Sequence, residues 1–154
     1  MRRLGALGMA IWTALTWSCV SAAPPSNRVV VEEAYIVPDA ASPGYATVYV
    51  VINNRTTTEV TLTGVSSPGA RESVLRNGRG TPVADGRITI PIHSELYMTP
   101  GGIHVALEGV KMPPGDRFPL VLTLDGSMKA TVNARVLSAE APVPDHHDYV
   151  HQDD

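Results

Sequence analysis

From Pro24 onward, proline and glycine break the chain before any helix can become established. The sequence holds 13 Gly and 13 Pro among 154 residues. Between them lie short runs rich in β-branched residues: 28–36, 45–52, 59–65, 86–92, 94–98, 103–107, 117–124 and 127–137. No stretch of about ten residues carries a convincing helical period, whereas Glu59 to Val65 alternates polar and apolar residues as a half-buried strand does. Asp125-Gly126 is a hairpin signal. Pro119 stands near the start of its run, a position that an edge strand tolerates. Many short strands with turns at regular spacing predict an all-β sandwich or barrel.

The N-terminus reads differently. Arg2 and Arg3 precede a mostly apolar stretch, Leu4 to Val20, and then the small residues Ser21-Ala22-Ala23. This is the pattern of a secretory signal peptide, with cleavage expected after Ala22 so that Pro24 is not the first mature residue. The apolar part is too short and interrupted for a span of ~20 residues, so no stable membrane insertion is expected after cleavage. Cys19 offers a lipidated alternative, although Thr16-Trp17-Ser18 lacks the aliphatic residue expected three before the cysteine. Cys19 is the only cysteine, so the mature chain can form no disulfide and use no thiolate. Loss of Arg2 and Arg3 takes two positive charges from a formal net charge of −3, and only Lys111 and Lys129 are lysines. A chain this acidic, with no basic patch, is not expected to bind nucleic acid. The mature part, about 130 residues, suits one domain with a real core.

One stretch carries most of the specific information. Pro100-Gly101-Gly102 is a turn whose glycines admit positive φ. It leads into the apolar run Ile103-His104-Val105-Ala106-Leu107 and then into Glu108-Gly109-Val110. Met112-Pro113-Pro114-Gly115-Asp116 forms the next turn. Alternation puts His104, Ala106 and Glu108 on one face and Ile103, Val105 and Leu107 on the other. This stretch resembles the signature of the periplasmic copper chaperones of the PCu(A)C family. In that family a Pro-Gly-Gly turn, one residue and His-x-Met are followed by a Gly-Asp turn. Val31, Ala34, Tyr35, Tyr45, Asn53, Ser67 and Pro68 match further motifs in order, so the resemblance spans about 29–137. It implies a Greek-key, cupredoxin-like β-sandwich.

The resemblance also implies a copper site of two histidines and two methionines, and here the sequence departs from it. Ala106 replaces the methionine two residues after His104. The family's first histidine falls somewhere in 69–74, and its other methionine at about Gly80; neither ligand is present. Only His104 survives. Met98 and His93 are candidate substitutes, against the plainer readings of core packing for Met98 and a surface histidine for His93. Met112 lies beyond the strand, ~17–24 Å away at about 3.3 Å per residue. The domain without its tail is therefore expected to bind Cu(I) far more weakly than a member with all four ligands.

Ser138 to Asp154 forms a polar tail with His146, His147 and His151 among four aspartates. Imidazole with carboxylate suits Cu(II), Ni(II) or Zn(II) better than Cu(I). Neutral imidazole is the ligand, so binding through the tail should weaken below about pH 6.5. The chain shows no nucleophile elbow, phosphate loop or His-Glu-x-x-His, and no enzyme is expected. The organisation expected is a leader over 1–22, a cupredoxin-like domain over 23–138 and a disordered tail over 139–154. Two functions fit. One is a periplasmic protein that binds, buffers or delivers copper to a periplasmic or membrane acceptor, for example in cytochrome oxidase assembly, as the resemblance implies. The other is a metal-free relative acting as an extracytoplasmic interaction or structural module.

Overall fold

The computed structural model describes residues 28–144. The expected leader with its cleavage site and Cys19, and the tail ligands His146, His147 and His151, lie outside the described residues. Nine strands follow in order: β1 (Val29–Pro38), β2 (Tyr45–Asn54), β3 (Val60–Ser66), β4 (Glu72–Arg76), β5 (Ile88–Ile90), β6 (Glu95–Tyr97), β7 (His104–Glu108), β8 (Arg117–Leu124) and β9 (Met128–Val136). The described residues contain one short 3-10 turn, Ala84–Gly86, and no helix long and apolar enough to cross a membrane.

The strands join in the order β4-β7-β2-β1-β9-β8-β3-β5, with β6 also paired to β2. All these pairings are antiparallel except β1 with β9. The sheet curls until its ends approach, and the Ser73 hydroxyl on β4 donates to the Val65 carbonyl on β3. The inward residues of both layers meet in one core, with Ile36, Val48, Ile52, Leu62, Val105, Leu107, Leu120 and Leu122 fully buried. The expected all-β architecture is observed, a curled sheet around one core.

Local chemistry explains the turns. Asp125 and Gly126 both have positive φ, 49° and 77°, as a type I′ turn requires. The Asp125 carboxylate also accepts from the Thr61 amide at 2.8 Å, tying the hairpin tip to β3. Two details differ from the sequence reading. β8 is an interior strand, not an edge. Pro119 is tolerated there because the β3 ladder ends at Ser66↔Val121, and the free Pro119 carbonyl accepts from the Ser67 hydroxyl at 2.6 Å. β4 lies in a polar, glycine-broken stretch whose sequence gave no strand signal, and only Leu75 is buried there.

β6 and β7 are two halves of one line of pairing along β2. β6 covers 51–53 of β2, β7 covers 45–48, and residues 98–103 loop out between them. The Met98 amide still bonds to the Val50 carbonyl at 3.1 Å before the chain leaves the sheet. His104 is the first residue after its return.

Candidate functional site

The excursion closes on itself through the Gly102 amide, which donates to the Thr99 carbonyl at 2.9 Å. Gly101 has φ +78°, which favours glycine. A second loop, 77–81 after β4, lies against it. A Cβ on Gly78 would overlap the Gly101 carbonyl, so the two loops meet backbone to backbone. That loop is held by its own asparagine: the Asn77 side-chain oxygen accepts from the Arg79 and Thr81 amides at 3.0 and 3.2 Å.

His104 stands at the foot of both loops. Its Nδ1 lies 3.0 Å from the Gly102 carbonyl oxygen. A carbonyl only accepts, so Nδ1 carries a proton, and in the neutral ring Nε2 is the nitrogen with the lone pair. A backbone carbonyl holding one imidazole nitrogen is the usual support of a metal-binding histidine. The ring is half-buried, and Tyr49 on β2 packs beside it with ring centres 6.5 Å apart and planes at 50°. Burial pushes the Tyr49 phenol above its ordinary value of 10.0. On the other side His104 pairs in register with Arg76 of β4, whose guanidinium donates to the Gly80 carbonyl at 2.6 Å.

The other candidates are placed differently. Met98 is buried at 1% exposure within the core, with its backbone at the start of the excursion. His93 occupies an exposed turn with φ 51°, between β5 and β6 rather than on a strand. No group of three or more His, Cys, Asp or Glu is arranged to hold a metal ion among the described residues. His104, Ala106 and Gly80 do share one neighbourhood, which Arg76 links. Val74 pairs with Ala106 across the β4–β7 ladder.

Residues 29–136 match the family described as "Putative lipoprotein LpqE-like". The chain belongs to the LpqE-like family. A comparison with curated proteins gave no match. Among solved structures, the LpqE-like chain is similar to the apo PCuAC domain of PmoF2, with 23% identity and TM-score 0.64, over 75% of this chain and 94% of that one. The copper-bound PCuAC domain from PmoF2 gives 24% identity and TM-score 0.62, over 71% and 92%. Apo-DR1885 from Deinococcus radiodurans gives 20% identity and TM-score 0.57, over 90% and 99%. At these identities the likeness is one of fold, and it bears out the resemblance read from the Pro-Gly-Gly stretch.

Sequence reasoning missed Tyr49, Arg76 and Gly78 in the surroundings of His104. The repeated glycines of Gly78-Arg79-Gly80 were the available signal, since glycine at a close backbone approach leaves that mark. Arg76 and Tyr49 become neighbours of His104 only through strand register, which no local pattern discloses.

Proposed function

We propose that this LpqE-like protein binds copper outside the cytoplasm, in the periplasm, and buffers or passes it on as a carrier rather than a catalyst. The observation that carries the reading is the His104 geometry: Nδ1 is engaged by the Gly102 carbonyl, and the Nε2 lone pair is left for a metal. Two of the similar solved domains are described as copper-bound or CuI forms, which supports copper as the cargo. The family's description as a lipoprotein supports an extracytoplasmic setting. The proposed organisation remains a leader over 1–22, a domain over 23–138 and a tail over 139–154.

His104 fits as one ligand of the cargo. Met98 would have to leave the core to reach it, and His93 sits in a separate turn. His146, His147 and His151 would give most of the divalent metal binding, at an affinity limited by the entropy of ordering the chain around the ion. A periplasmic or membrane copper protein would be the acceptor. Competition of the purified protein against a Cu(I) chelator, with a parallel Cu(II) titration, tests this. His104→Ala should weaken Cu(I) binding, and truncation after Glu140 should remove most Cu(II) binding. Unchanged affinities in both variants would overturn the reading.

A second reading draws on Arg76. A guanidinium in register with His104 puts a fixed positive charge beside the one retained ligand, which opposes cation binding. The burial of Met98 points the same way. A metal-free interaction module would show no saturable copper binding in either oxidation state.

A further inference from the structure

The outer face of β4, β7 and β2 is built as three parallel rows. Strand register sets Glu72, Glu108 and Tyr45 side by side in the first row. Val74, Ala106 and Thr47 make the second, and Arg76 and His104 belong to the third. Rows lie two residues apart along each strand, or about 6.6 Å at ~3.3 Å per residue. The small Ala106 leaves a hollow in the middle row, an open groove of about 320 Å³ lined by Tyr45, Glu72, Val74, Arg76, Ala106 and Glu108. The result is a trough with an acidic wall, an apolar floor and a cationic wall.

The walls are not neutralised alike. Arg71 pairs with Glu108, but Glu72 directly opposite it has no ion pair among the described residues. Like charges facing each other across a ladder disfavour the sheet, and of these two only Glu108 has a cation of its own. Arg76 spends its guanidinium on a backbone carbonyl rather than on a carboxylate. Tyr45 is 47% exposed, an apolar ring with a polar tip at the rim.

We infer that this trough is a docking groove for an extended peptide segment of a partner protein that carries a cation, an apolar side chain and an anion at alternate positions. In an extended segment, residues i, i+2 and i+4 face one way and are spaced as the three rows are. The cation meets Glu72, the apolar side chain fills the hollow over Ala106, and the anion meets Arg76. Charge complementarity at both walls sets the register, and the floor supplies the desolvated centre of the contact. A segment seated this way runs its middle side chain one row from His104. The groove itself needs no metal, so a failed copper titration leaves this inference standing.

The test uses the purified metal-free protein and a fluorescent, end-blocked peptide, Lys-Ser-Leu-Ser-Glu, followed by anisotropy. Saturable binding that weakens with salt is expected. Arg76→Glu and Glu72→Lys should each lower the affinity about fivefold or more, the scale of one exposed ion pair lost and a repulsion gained. The Arg76→Glu protein should regain affinity for Lys-Ser-Leu-Ser-Lys, a rescue that a misfolded variant could not give. Replacing the peptide's leucine with serine should also weaken binding. No saturable binding, equal binding of the charge-matched and mismatched peptides, or a face covered by self-association in sedimentation would overturn it.

Discussion

Asn54 is fully buried at 0% exposure, although its side chain is wholly polar. Its amide nitrogen donates to the carbonyls of Thr58, Ile90 and Pro91 at 2.9 to 3.0 Å, and its oxygen accepts from Thr56. One side chain thus satisfies the loop after β2 and the end of β5. Asn54→Ala would take the side-chain donor from the buried Ile90 carbonyl and the part-buried Pro91 carbonyl, while the Thr58 carbonyl keeps the Thr56 hydroxyl at 2.8 Å. It should cost about 3 kcal/mol in urea unfolding, since each orphaned group costs ~1–3 kcal/mol. Asn53→Ala, which gives up a single 3.3 Å bond to Glu32, should cost less than about 1 kcal/mol. The family motif read from the sequence ends β2 on Asn53, whereas the structure gives the organising role to its neighbour. Two adjacent asparagines are indistinguishable until the inward face of the strand is known. Tyr49 supplies a pH test. Burial raises its pKa above the ordinary 10.0, so the folded chain holds a proton that the unfolded chain gives up. Stability from this source is intact below that ordinary value and falls as pH rises through the raised one. Tyr49→Phe should flatten the alkaline decline in a series of urea midpoints, and an unchanged slope would exclude Tyr49 as its cause.

At the scale of elements, the interlocked loops 77–81 and 98–103 decide how His104 is presented. Gly78→Ala would push its new methyl into the Gly101 carbonyl and displace the neighbouring Gly102 carbonyl that orients the imidazole. It should cost about 1–3 kcal/mol, as overpacking does, and should shift the His104 ring resonances in NMR. Gly126→Ala, strained by φ +77° in the β8–β9 hairpin, should lower the melting temperature while leaving those resonances in place. Strands with dense β-branched runs were legible: β1, β2, β3, β8 and β9 lie within two residues of their sequence-based bounds. β4 was not legible, because Glu72, Val74 and Arg76 face outward and leave Ser73 and Leu75 as its inward residues. Its strand character comes from pairing with β7, a tertiary effect that overrides weak local preference. The excursion between β6 and β7 was read correctly as a turn, but that both strands continue one line along β2 is a matter of register alone.

For the whole molecule, truncation after Glu140 should leave the thermal midpoint unchanged, because Val136 is the last core residue of β9. The same variant should lose most Cu(II) binding at neutral pH if His146, His147 and His151 are the donors proposed. The fold was legible because turn residues and apolar runs are local signals repeated along the chain. The site was legible only at His104, where the Pro-Gly-Gly turn advertises it; the rest is assembled by pairings between distant strands. The single parallel seam, β1 against β9, has a mechanical consequence. Because the two strands run the same way, the start of β1 and the end of β9 lie at opposite poles of the sandwich. A force drawing those two ends apart slides the strands lengthwise past each other. The hydrogen bonds between them then share the load together, where a hairpin pulled at its open end surrenders them one after another. Held through β1 on one side and drawn through β9 on the other, the domain resists as a lap joint rather than as a zip.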